Sequence, residues 1–189
     1  MNAAPAFADA APVDPDLTIV PDFITEAERT GLLAWARAMR PHLKANPNGD
    51  NRYSRRMEFL PRVDPLHAAV RLRLQRQLGL PDDIAPEPRF GWYISIIGAG
   101  GYVHMHQDPT PEGMRHLRAN LFLQLPFHGG RPAVERNIYP VAERSLLAFF
   151  PSERRHFSEP VYGRRRRIIL SFGYLVPADY VLPALTGVA

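Results

Sequence analysis

A chain of 189 residues, 46% of them apolar, is long enough to close one buried core and too short for two domains of ordinary size. Cysteine is absent, which excludes a disulfide framework, a thiolate-bound zinc or iron–sulfur site and a thiol nucleophile; any metal must sit on His, Asp or Glu. The net charge of +4 draws much of its excess from one run, Arg164 to Arg167, and such runs are usually solvated turns or strand edges.

Met1 to Asp16 is rich in Ala, Pro and Asp and lacks the cationic start and apolar stretch of a secretory signal, so a disordered arm is expected. No stretch approaches the roughly 18 to 20 apolar residues that span a bilayer, and the expected location is the cytoplasm. Leu17 to Val20 reads as a short strand. Thr25 and Glu28 form a capping box that should open a helix from about Glu26 to Met39. Pro41 to Asn51, with Pro, Asn, Gly and Asp, predicts a loop. Asp64 can cap a second helix with Pro65 at its first position; Leu66, Ala69, Val70, Leu74 and Leu78 recur at helical spacing before Gly79 stops it.

After a Pro-rich link, Leu80 to Pro88, short apolar or alternating runs predict strands at Phe90–Ile97, Tyr102–Asp108, Arg118–Leu125, Ser145–Phe150 and Arg166–Val176. Gly98 to Gly101, Pro109 to Gly113 and Gly129 to Pro132 read as turns between them. Helices followed by strands argue for one α+β domain over residues 17–180, with the helices buttressing an all-β barrel or sandwich and residues 181–189 as a tail. Trp92 and Tyr93 read as core, and His42, His67, His116 and His128 as surface residues.

Within Gly-Tyr-Val-His-Met-His-Gln-Asp-Pro, strand alternation puts Tyr102, His104, His106 and Asp108 on one face. An imidazole and a carboxylate two residues apart can then converge on one ion. A distal histidine, with His156 the candidate, would complete a two-His-one-carboxylate triad that leaves positions open on Fe(II) for a co-substrate and oxygen. The His-x-Asp pattern alone is close to chance, and its weight comes from Arg166, ten residues after His156 at the start of an apolar strand. A guanidinium there can clamp a carboxylate through two parallel hydrogen bonds. His104 is expected to be a hydrogen-bonding neighbour of the site.

From Phe90 to Val176 the chain resembles the prolyl-4-hydroxylase-like branch of the Fe(II)/2-oxoglutarate-dependent oxygenases. The resemblance rests on a glycine turn and Tyr before a His-x-Asp strand (Gly98 to Asp108), a strand with Arg near its start (Arg118 to Leu125), the turn Phe150-Pro151-Ser152, the distal His156 and a basic residue about ten positions on. Val20 to Arg29 is similar to the entry strand and helix of those proteins. It implies a double-stranded β-helix, a jelly-roll or cupin-like barrel. It also implies Fe(II) on His106, Asp108 and His156, with 2-oxoglutarate and O2 as co-substrates and Arg166 on the far carboxylate. The implied reaction hydroxylates an unactivated C–H bond of an amino acid, peptide or biosynthetic intermediate and releases succinate and CO2; an aspartate at position 108 disfavours halogenation.

Two departures stand out. Tyr102 lies four residues before His106 where the family usually has Tyr-x-x-His, and the tyrosine that often bonds 2-oxoglutarate would fall near Ile96; Asn120 or Gln124 is expected to substitute. The basic segment Pro41 to Met57, with Lys44, Arg52, Arg55 and Arg56, is read either as a solvated loop or as a flap that meets an anionic substrate. Two other classes remain open: a cupin-like metal enzyme that does not use 2-oxoglutarate, and a non-catalytic nucleic-acid-binding module using Arg164 to Arg167. The latter is disfavoured because the run lacks interleaved aromatic residues. A membrane partner is not expected, and the sequence does not fix the oligomeric state.

Overall fold

In the computed structural model, which describes residues 14–188, the capping motifs set the helices. Strand β1 (Leu17–Val20) leads to helix α1 (Glu26–Ala38), where Thr25 Oγ1 accepts from the Glu28 N–H at 3.1 Å and Glu28 Oε2 accepts from the Thr25 N–H at 2.8 Å. Most of the expected N-terminal arm lies outside the described residues. Of its last residues, Asp14 pairs with Arg154 and Asp16 with Arg115.

The expected loop Pro41 to Asn51 is corrected: it contains β2 (Lys44–Ala45) and the start of β3 (Gly49–Arg56), which pair as a hairpin. Its Asn and Pro residues do make a turn, but a tight one, with Asn46 accepting from the Asn48 N–H and donating to Ser54 Oγ. Helix α2 (Pro65–Gln77) starts with Asp64 accepting from the Leu66 N–H at 2.9 Å, and Gly79, at φ 66°, follows its end.

The regular elements after α2 are all strands: β4 (Trp92–Val103), β5 (Met114–Gln124), β6 (His128–Gly129), β7 (Pro132–Val134), β8 (Asn137–Ile138), β9 (Leu146–Phe149), β10 (His156–Ser158), β11 (Val161–Tyr162) and β12 (Arg167–Pro177). They build an antiparallel seven-stranded sheet ordered β1-β9-β5-β12-β4-β3-β2, a three-stranded sheet β10-β7-β8 and a pair β11-β6. The central strands are buried on both faces. Ile168, Leu170 and Phe172 of β12 join one core with Leu32 and Trp35 of α1 and Val70 and Leu74 of α2. On the other face, Ile169 packs with Phe122, Leu147, Phe149 and Val134. This double burial explains why most of β12 reads as a continuous apolar run.

Gly98 to Gly101 is not a turn between two strands; it is a bulge inside β4. Across it the partner register jumps from Arg52↔Ile97 to Asp50↔Tyr102, with Asn51 alone opposite four residues. Gly100 takes φ 74°, Asn51 takes φ 40°, and the Asn51 amide donates to Ala99 O at 3.0 Å. A bulge of this kind bends the strand. The residues after Val103 thereby leave the large sheet and cross to the smaller one.

Candidate active site

The crossing segment is held by backbone bonds. The Val103 N–H donates to Ser158 Oγ, the Asp108 N–H donates to Pro151 O, and His106 and His156 exchange two backbone hydrogen bonds of 3.1 and 2.8 Å. Directly opposed residues of an antiparallel pair project their side chains to one face. The His106 and His156 rings accordingly lie 4.2 Å apart between centroids. Asp108 Oδ1 stands 3.4 Å from His106 Nε2, and one ligand atom from each of His106, Asp108 and His156 lies within 4.8 Å of the other two.

The free atoms of this triad point the right way for a metal. His106 Nδ1 is 2.7 Å from His104 O, and His156 Nδ1 is 3.3 Å from Arg154 O. A carbonyl only accepts, so each Nδ1 carries the proton and each Nε2 keeps its lone pair for an ion. The His104 side chain turns away to Asp50 Oδ1 at 3.0 Å; its contribution to the site is its carbonyl.

Asp108 Oδ2 accepts from Arg118 at 3.1 Å, and Arg118 also donates to Ser171 Oγ at 3.0 Å. Burial alone would raise the Asp108 carboxyl. The close His106 ring and the charge of Arg118 outweigh it and hold the group below the usual carboxylate range. Burial, reinforced by His106, pushes His156 down to about 4, so its imidazole is neutral, as a ligand must be. His116, expected at the surface, is fully buried beside Asp108; burial and Arg118 push it down to about 3. No spacing signal in the sequence marks it.

Two adjoining cavities reach the triad. The inner one is lined by His106, His156, Tyr93, Asn120, Arg52 and Arg167. The outer one, about 510 Å³, shares Arg52, Tyr93, Arg118 and His156 with it. Arg166 is not at the site. Strand β12 starts one residue later, and its inward positions are Arg167, Ile169 and Ser171. The Arg167 guanidinium, 3% exposed, lies in the inner cavity with Nε unpartnered. Arg166 lines a separate hollow with Arg40 and Arg164. Arg165 is tied to Glu143 at 2.5 Å, so the four arginines form no single basic stripe.

Asn120 lines the inner cavity with its Oδ1 unpartnered. Gln124 does not. A register shift leaves Phe122 opposite Ile169 but Gln124 opposite Ile168, which turns Gln124 to the helix side, where it accepts from Arg37 and donates to Arg166 O. Trp92 packs on the core as expected, whereas Tyr93 lines both cavities.

No family model matches the sequence, and no curated protein does. Solved structures do match. A prolyl-4-hydroxylase from Pseudomonas putida superimposes with a TM-score of 0.63 at 15% identity, covering 87% of this chain and 94% of that one. A viral collagen prolyl hydroxylase from Paramecium Bursaria Chlorella virus-1, in complex with 2-oxoglutarate, gives 0.63 at 14% identity over 85% and 95%. HygX from Streptomyces hygroscopicus, with nickel, 2-oxoglutarate and hygromycin B bound, gives 0.58 at 12% identity over 87% and 84%. The chain therefore has the fold that these 2-oxoglutarate oxygenases share, a double-stranded β-helix of antiparallel sheets.

Proposed function

We propose that the protein is an Fe(II)- and 2-oxoglutarate-dependent oxygenase that hydroxylates a C–H bond of a small molecule or peptide. The observation that carries this reading is the pairing of two features: a His-Asp-His set with its Nε2 atoms free, and beside it a buried guanidinium, Arg167, with no carboxylate partner among the described residues. A buried unpaired cation is costly, and an incoming carboxylate offsets that cost. The fold is one in which solved neighbours are described with nickel and 2-oxoglutarate bound.

His106, Asp108 and His156 would hold the metal, and Arg118 would fix the Asp108 carboxylate by occupying Oδ2. Arg167 takes the place expected of Arg166 as clamp for the far carboxylate of the co-substrate. Asn120 and Tyr93 line the same cavity and would complete its polar lining. Held by these residues, Fe(II) would supply the coupling of 2-oxoglutarate decarboxylation, giving succinate and CO2, to insertion of one oxygen atom of O2 into the substrate. The apolar wall of Val134, Leu147, Phe149 and Ile169 lowers the local dielectric of the inner cavity and would strengthen the Arg167 pairing. A cupin-like enzyme without 2-oxoglutarate leaves Arg167 without a task.

The test is incubation with a pool of candidate substrates followed by mass spectrometry. A product heavier by one oxygen atom, formed with succinate and only when Fe(II) and 2-oxoglutarate are both present, is expected. Oxygenated product formed equally without 2-oxoglutarate would contradict the proposal.

A further inference from the structure

Three guanidiniums surround the site, and their partners differ. Arg118 is paired with Asp108, and Arg167 is assigned to the co-substrate. Arg52, on β3, is 7% exposed and has no carboxylate partner among the described residues; its Nε donates to Ser95 Oγ and its Nη1 to Asn48 O, each at 3.3 Å. Arg52 and Arg167 both pair across Ile97, one from each side, so the two cations share one face of the sheet. One buried cation can be satisfied by the co-substrate's far carboxylate. The second asks for a second anion.

Arg52 sits where the inner cavity opens into the outer one. The outer cavity is also lined by Lys44, Arg55 and Arg89, none of which has a salt bridge among the described residues, and by the rings of Phe59 and Phe90. Its sole lining acid is Asp108, already paired with Arg118. The volume, about 510 Å³, suits a small organic molecule. The hairpin β2–β3 supplies most of the cationic side, which gives the basic segment Pro41 to Met57 a place at the site.

We propose that the outer cavity is the subsite for a small anionic primary substrate, whose carboxylate or phosphate pairs with Arg52 and whose apolar body lies against Phe59 and Phe90. This rests on the co-substrate reading only in assigning Arg167 elsewhere. Charge selection here is by a fixed, desolvated guanidinium rather than by a surface patch, so replacing the anion with a neutral group of the same shape leaves Arg52 unpaired.

Calorimetric titration of the intact protein, loaded anaerobically with Fe(II) and 2-oxoglutarate, tests this with phenylacetate, phenyl phosphate and uncharged phenylacetamide as probes. At least one anion should bind about tenfold or more tightly than the amide, and the order of the two anions tells a carboxylate from a phosphate source. Arg52→Gln should remove that preference while the visible band of the 2-oxoglutarate chelate persists. Arg55→Gln, at a half-buried position beside Phe59, should reduce the preference without moving the thermal unfolding transition. Equal binding of amide and anions by the unaltered protein overturns the proposal, as does loss of the chelate band in Arg52→Gln with the anion preference intact. If the unaltered protein forms no chelate band, the co-substrate reading falls, and the same titrations on metal-free protein still decide whether the cavity takes an anion.

Discussion

Arg167 is the residue on which the co-substrate reading turns. Removing one partner of a buried, hydrogen-bonded charge pair costs about 2 to 5 kcal/mol, or roughly thirtyfold to several thousandfold in affinity. Arg167→Ala should weaken 2-oxoglutarate binding by that range while leaving Fe(II) binding nearly unchanged, and Arg166→Ala should leave both nearly unchanged; titration of both variants with 2-oxoglutarate checks this. His106, Asp108 and His156, which the structure brings together, were named from the His-x-Asp strand and the family resemblance, since the pattern alone is close to chance. Arg167 could not be told from Arg166, because both faces of β12 are apolar and buried, and alternation alone does not say which face meets the metal. His116 and Tyr93 were invisible for a related reason: nothing in their spacing distinguishes a buried polar neighbour of the site from a surface or core residue.

His67, 3% exposed and stacked on Phe172 at 5.2 Å, gives a separate test. Burial, with Arg71 nearby, pushes its imidazole down to about 4 from an ordinary 6.5. The folded pKa is depressed, so above 6.5 neither state is protonated and no stability is lost. As pH falls toward 4, the unfolded chain takes up the proton first and folding is penalised. Between pH 7 and pH 5 the protein should lose about 2 kcal/mol more than His67→Leu does, read from urea unfolding at the two pH values.

At the scale of elements, the helices were legible to within a residue because their ends carry chemistry: Thr25 with Glu28, and Asp64 with Pro65. Thr25→Ala should cost about 1 kcal/mol in thermal or urea unfolding, since it orphans a helix N–H. The hairpin β2–β3 was missed because its Asn, Pro and Gly residues signal a turn without signalling that strands flank it. The β4 bulge was misread for the same reason, as glycines that bend a strand look like glycines that end one. The bulge also makes a prediction. A Cβ on Gly101 would run into Asp50 O, whereas one on Gly100 meets nothing. Gly101→Ala should displace the segment carrying His106 and Asp108 and lower Fe(II) affinity about 10- to 100-fold. Gly100→Ala should cost about 1 to 2 kcal/mol of stability through its left-handed backbone without that loss of affinity. Metal titration and unfolding of the two variants separate the effects.

For the whole molecule, the large sheet was legible in kind but not in closure. Sequence gave the strands that are buried on both faces, while the short strands β6, β7, β8, β10 and β11, which form the smaller sheets, carry too few residues to show a period. Those small sheets matter because β10 brings His156 to His106, so a metal held there would join the two sides of the barrel. Binding there should stabilise the fold as a unit. Fe(II) at about 100 times its dissociation constant should add about 2.7 kcal/mol, or roughly 5 to 10 °C in Tm; 2-oxoglutarate should add to that, and a chelator should reverse it.

On the proposed reading, one site would hold Fe(II) on His106, Asp108 and His156 and chelate 2-oxoglutarate beside Arg167. Anaerobic absorption spectroscopy tests it most directly. A weak visible charge-transfer band should appear when Fe(II) and 2-oxoglutarate are both added and not with either alone, and it should be absent from His156→Ala and Asp108→Ala. A protein that binds Fe(II) yet gives no band at saturating 2-oxoglutarate, or a band that survives His156→Ala, would contradict the account.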